Sequence, residues 1–237
     1  MNPKKENTFE TKRYTEVKDK LNNLELWDGK NSLTKSQVVE AVASLQNLEL
    51  CSRCGGSCCR NTGCSYLPID FKDMSFSSLK KELEKGYISI IAQIIIIDYK
   101  VKVNLFMRTR NVGRPIVDLL STSSSCCLWS EKGCPLSSEE RPSIGILCIP
   151  GYENGCLHCH PIVSDDILEV PWKKHQKTLR ALVSHFTGKS VKEVIQEQAT
   201  ILAQQFMAKQ ATTGMLSEEE RNLLKLMYNL KENRFIS

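Results

Sequence analysis

Apolar positions recur at helical spacing near both ends of the chain and alternate near its middle. Tyr14, Val17, Leu21 and Leu24 repeat every three or four residues, as do Val38, Val39, Val42, Leu45 and Leu48, so the first fifty residues read as helical. Asn31 or Ser32 would cap the second of these helices. Between Leu50 and Cys64 the period stops and glycine and cysteine take over, which predicts a ligand loop. Ser75 to Lys85 reads as a short helix, opened by Ser75 or Ser77 and closed by Gly86.

From Tyr87 the chain turns to isoleucine and valine. A strand through Ile97, a turn around Asp98-Tyr99-Lys100 and a return strand Val101 to Met107 predict a hairpin. In the return strand Val101, Val103, Leu105 and Met107 alternate with Lys102, Asn104, Phe106 and Arg108. Asn111 to Ser125 has no clear period and reads as loop. After the second cysteine group the pattern is helical again. Trp172, Leu179, Leu182, Val183 and Phe186 share a face, with Pro171 at a first-turn position. Ser190 would cap the next helix, marked by Val191, Val194, Ile195, Leu202 and Phe206. Ser217 with Glu220 forms a capping box before Leu223, Leu226, Met227 and Leu230. The expected class is α+β: a cysteine-rich metal-binding centre with a small β-hairpin, flanked by N- and C-terminal helices. Its segments would be 1–48 (helical), 49–162 (cysteine-rich core) and 163–237 (helical), packed as one unit.

Composition changes this picture at one point. Of 237 residues, 41% are hydrophobic and 25% charged, the balance of a globular chain. The N-terminal sequence Met-Asn-Pro-Lys-Lys-Glu-Asn runs into polar residues, so no signal peptide is expected. The longest apolar run, Ile88 to Ile97, spans ten residues, about half of what a bilayer needs. A soluble, cytoplasmic protein without a membrane partner is expected, in a compartment that keeps thiols reduced. Eleven cysteines are then anomalous. Their number is odd, and their short spacings suit metal ligation better than isolated buried thiols.

The ligand candidates fall in two groups. Cys51-x2-Cys54 sets two thiolates on one tight loop, the bite of a tetrahedral ion or a cluster. Gly55-Gly56 would let the backbone approach the ion. Cys58 and Cys59 are adjacent, so on extended backbone they point apart and one ion would not take both; Cys64 follows. The second group comprises Cys126, Cys127, Cys134, Cys148, Cys156 and Cys159. Cys156-x2-Cys159 is a second close chelate, with His158 and His160 beside it as ligands or as solvent-facing side chains. Cys126 is the one best left over. His175 reads as a packed histidine on an apolar helix face.

Charge is read with these sites in mind. A site of four thiolates around Zn²⁺ carries −2, so two sites would take the formal balance from +5 to +1. Arg53, Arg60, Lys132 and Arg141 would neutralise locally, which disfavours a nucleic-acid partner. Arg108, Arg110 and Arg114 crowd the end of the hairpin. They read as a solvated strand end or as a carboxylate or phosphate grip.

The run Cys51-Ser-Arg-Cys54-Gly-Gly-Ser-Cys58-Cys59, then Cys127-Leu-Trp, Gly133-Cys134-Pro-Leu and Glu140-Arg141-Pro142, resembles the YkgJ-like cysteine-cluster proteins, a zinc- or iron-chelating family. The resemblance covers about the middle hundred residues. It implies ligands at Cys51, Cys54, Cys58, Cys59, Cys127 and Cys134. The family pattern places a further cysteine where this chain has Gly145, so Cys148, Cys156 or Cys159 would substitute, or the Cys156–Cys159 pair would mark a second metal. The first run is also similar to that of flagellin lysine N-methylases, which implies an iron–sulfur cluster by analogy.

Three functions follow as expectations. The first is a zinc- or iron-binding protein with a structural or accessory role, zinc being the expected ion. The second is an iron or [4Fe-4S] enzyme acting on a protein or peptide. The third is a zinc-stabilised module binding a protein or nucleic acid. No Ser-His-Asp order, phosphate loop or paired carboxylates point to catalysis.

Overall fold

In the computed structural model of the chain, the described residues are 12, 14–27, 33–45, 56, 59–60, 63–97, 100–121, 125–131, 134–137, 139–149, 160–164, 166–218, 220–221, 224–225 and 234–236. Helix α1 covers 14–21, and α2 covers Lys35–Ala43. Thr34 caps α2. Its hydroxyl oxygen accepts the Gln37 N–H at 3.3 Å while its own N–H donates to Gln37 Oε1 at 2.8 Å. That reciprocal box satisfies two end donors of the helix, so the cap is Thr34 rather than Asn31 or Ser32. Helix α3, Phe76–Glu84, opens on Ser75, whose Oγ accepts from the Ser78 N–H. It closes before Gly86, whose φ of +87° suits a residue without a side chain.

Strands β1 (Ile88–Ile97) and β2 (Lys100–Thr109) form the expected antiparallel hairpin, with Ile90 opposite Met107 and Ile94 opposite Val103. The alternation of β2 is realised: Val101, Val103, Leu105 and Met107 are buried on one face. Helices α4 (Ser143–Leu147), α5 (Asp166–Trp172), α6 (Gln176–Thr187) and α7 (Val191–Thr213) follow. The short strands β3 (Cys148–Ile149) and β4 (His160–Pro161) pair with each other, and β5 (Arg234–Ile236) runs parallel along Lys100–Lys102. Ser190 and Glu193 box the start of α7, and Ser217 and Glu220 exchange the same two bonds.

Two expectations are corrected. Pro171 lies near the end of α5 instead of opening a helix. Residues from Asp166 already supply the preceding turn, and so short a helix loses one backbone bond to the proline. The aperiodic stretch after Asn111 is also more than loop. Val117 pairs with Ile90 in parallel, the Asp118 N–H donates to Ile90 O at 2.9 Å, and the Ala92 N–H donates to Leu119 O at 3.2 Å. A segment this short supports an edge without showing a period of two.

Two apolar clusters result. One packs the buried face of the hairpin against Leu79 and Leu83 of α3, Leu179 and Leu182 of α6, and Ile195 and Leu202 of α7. The other gathers Leu21, Trp27, Val38, Val42, Leu67, Ile146, Leu147 and Ile167. The central 49–162 segment therefore contributes to both. Two glutamines finish the sheet. Gln176 accepts the Leu105 N–H at 2.9 Å and donates to Leu105 O at 2.8 Å, and Gln198 does the same for Leu120 N–H and Val117 O. Each side-chain amide occupies backbone groups that would otherwise be left open at an edge.

Candidate metal centre

The end of β2 is the spine on which cysteines from both groups are hung. Its outer edge takes the 64–66 segment first: the Tyr66 N–H donates to Met107 O at 2.9 Å, and the Thr109 N–H donates to Cys64 O at 2.9 Å. Beyond Thr109 the opposite edge, on which the Arg110 N–H donates to Tyr87 O at 2.8 Å, takes 125–127. The Cys127 N–H donates to Arg110 O and the Val112 N–H to Ser125 O, both at 2.8 Å. One layer farther out, the Cys126 N–H donates to Cys59 O at 2.8 Å. Gly63 permits the close approach at the start of this assembly, because a Cβ there would stand 2.3 Å from Thr109 Oγ1 and 2.5 Å from its carbonyl.

Three thiols meet as a result. Cys59 is hydrogen-bonded to both Cys126 and Cys134, and Cys59 and Cys126 are buried. The Leu128 N–H points at Cys126 Sγ from 3.4 Å. The Thr109 hydroxyl lies between that sulfur and the Cys64 carbonyl. Both Cys126 and Cys134 are pulled down from about 9 to about 6, first by Cys59 and against the cost of burial. Cys126, set aside in the sequence as surplus, is one member of the trio.

The remaining described cysteines sort by geometry. Cys127 follows Cys126 on extended backbone; burial first, then the neighbouring Cys126, push its thiol up, with Arg110 opposing. Cys64 packs on Gly145, where a Cβ would come within 3.1 Å of its Sγ. Cys64 thus lies directly against the position at which the resemblance places a cysteine. Cys148 sits at the start of β3, opposite Pro161, and is half-buried. Cys51, Cys54, Cys58, Cys156, Cys159 and His158 lie outside the described residues, and His160 is described by its backbone alone. Among the described residues, no group of three or more His, Cys, Asp and Glu side chains could hold a metal ion as placed: the trio is linked through Cys59 and does not surround a common point.

The arginines differ from both sequence readings. Arg108, half-buried, is bonded to the Ser121 hydroxyl; burial pulls its guanidinium down, while Asp118, Cys126 and Cys64 hold its charge. Arg110 donates to Arg114 O at 3.2 Å and reaches Cys127. Arg114 pairs with buried Asp118 through two bonds, one of 2.9 Å. None of the three is a solvated strand end. Arg60 lies over the Trp129 ring at 6.0 Å, whereas Arg141 does reach a thiol, that of Cys134. His175 is packed as expected, edge-on to Trp172 at 6.2 Å, with burial lowering its pKa.

Two residues that no motif flagged fix the assembly. Tyr66 is held by its own N–H and by the Trp172 indole, which donates to Tyr66 O at 3.0 Å. Its phenol is pushed far up, chiefly by burial and then by Asp70 and the thiols. Asp70, with its side chain 1% exposed, accepts from the Leu67 N–H at 2.8 Å, from the Ser143 N–H and hydroxyl at 3.0 and 2.8 Å, and from Lys35 at 3.1 Å. It therefore ties the strand after Cys64 to the segment after Arg141.

Comparison with family models, with curated proteins and with solved structures returned no match. No helix among the described residues is long and apolar enough to cross a membrane.

Proposed function

We propose that this protein binds a thiophilic metal ion, zinc first, through thiolates from both cysteine groups. The reading rests on the Cys59–Cys126–Cys134 trio, in which Cys59 is bonded to thiols 67 and more positions away. Soft thiolate donors select Zn²⁺, iron–sulfur clusters and Cu(I) over hard cations. The donor set fits such an ion in its chemistry. Three thiols are one short of a closed tetrahedron, and the Cys51–Cys59 run resembling the YkgJ-like proteins would supply the rest. Bound metal would fix the junction between that run and the strand extension, in a structural or accessory role. A glutathione-buffered cytoplasm would keep the thiols reduced.

The test is elemental analysis and visible absorption on protein purified without oxygen, beside Cys59→Ser. Stoichiometric zinc in a colourless protein, lost in the variant, is expected. A brown protein with labile sulfide would move the reading to an iron–sulfur protein acting on a protein or peptide. Metal-free protein that takes up neither ion would end it.

A further inference from the structure

We propose that Cys59 and Cys126 form a reversible disulfide, a redox modification site that needs no metal and no residue outside the described ones. The two lie 67 positions apart in the chain and are brought side by side by backbone pairing. The Cys126 N–H donates to Cys59 O at 2.8 Å. Residues joined by such a bond have Cα atoms about 5–6 Å apart, inside the roughly 4.4–6.8 Å that a disulfide spans. A single helical turn carries Cys59: its N–H and that of Arg60 both donate to Gly56 O, at 2.9 and 3.0 Å. That turn is tied to the 125–129 segment twice more. The Ser125 hydroxyl donates to Arg60 O at 2.9 Å, and the Arg60 guanidinium lies over the Trp129 ring.

Both side chains are buried at this junction, both are reduced in this structure, and their thiols are hydrogen-bonded. The Leu128 N–H, 3.4 Å from Cys126 Sγ, favours the thiolate there, which is the attacking form. Cys59 adjoins exposed Arg60 on the outermost layer, so its sulfur is the one that a disulfide from solution meets. The Cys59 thiolate attacks one sulfur of glutathione disulfide, and one glutathione leaves as its thiolate. The Cys126 thiolate then attacks the Cys59 sulfur, and the second glutathione leaves. Two protein thiols are oxidised to one disulfide, glutathione disulfide is reduced to two glutathiones, and the thiol protons pass to the leaving thiolates. The link fixes the Cys59 turn on the strand extension and leaves neither sulfur as a thiolate.

The experiment equilibrates the metal-free full chain, without oxygen, in glutathione buffers of graded oxidised-to-reduced ratio. Samples in native buffer and in concentrated urea are quenched with acid, alkylated and mapped by peptide mass spectrometry. A link from Cys59 to Cys126, reversed by dithiothreitol, is expected in the native chain. Because the native fold already holds that loop closed, half-formation is expected at a ratio about tenfold to a hundredfold lower than in urea. Cys59→Ser and Cys126→Ser abolish the link, whereas changing the adjacent thiol in each case (Cys58→Ser, Cys127→Ser) keeps it. A native chain with no such link at any ratio overturns the proposal. So does a link from Cys59 to Cys134 in its place, or the same ratio for half-formation in native buffer and in urea.

Discussion

Replacing Asp70 tests whether the centre is held from below by a buried carboxylate. In Asp70→Ala three neutral donors lose their acceptor: the Leu67 N–H, the Ser143 N–H and the Ser143 hydroxyl. Bonds to a charged acceptor contribute about 1.5–3 kcal/mol each, and a buried donor left unmade costs about 1–3 kcal/mol. Water entering the vacated space offsets part of this, so about 1–1.5 kcal/mol per donor is a fair figure, or roughly 3–5 kcal/mol together. The Lys35 pair adds little, since that cation is partly exposed. For a chain of this size each kcal/mol moves the thermal midpoint by about 2–4 °C, which gives a fall of roughly 10 °C. Asp70→Asn keeps one acceptor oxygen and turns an N–H₂ toward donors, so an intermediate loss is expected. Calorimetry of both variants in metal-free protein, with Ser143→Ala as the partner of a double-mutant cycle, reads the effect. A midpoint of Asp70→Ala within about 2 °C of wild type would refute the reasoning, as would strict additivity with Ser143→Ala.

Two further outcomes are expected. The ultraviolet thiolate absorbance of reduced, metal-free protein should show a thiol ionising near 6, where Cys126 and Cys134 are drawn, well below the ordinary 9. A group whose folded pKa is depressed contributes stability that is fully present above its unfolded value and is lost as pH falls through the folded one. Metal-free stability should therefore rise between pH 6 and pH 9 and lose this gain in Cys59→Ser; a flat profile common to both proteins contradicts the trio. Gln176→Leu leaves the Leu105 N–H and carbonyl without the amide that now bonds both, and should cost about 2 kcal/mol in urea unfolding. A neutral result would show that water replaces the amide at that edge.

The local elements were legible in the sequence because their causes are local. Ser75 and Gly86 bound α3, the period of two in Val101–Met107 marks the buried face of β2, and Ser190 with Glu193 opens α7. Each depends on neighbours within four residues. That cysteines would come together was also legible, since the eleven fall in two close-spaced groups.

Which cysteines meet was decided by tertiary structure. Spacing favoured Cys127 and discarded Cys126, yet strand backbone turns adjacent side chains to opposite sides. The register of 125–127 on the end of β2 then decided which of the two faces Cys59. Spacing could not show that Cys64 fills the place beside Gly145, that Asp70 binds Ser143 across 73 positions, or that three arginines turn inward to sulfur and carboxylate. Those are long-range pairings, and a sequence period carries information only about the residues within its own turn or strand. The sequence by itself determined that cysteines crowd the middle of this chain; the two edges of one β-strand decided which of them touch.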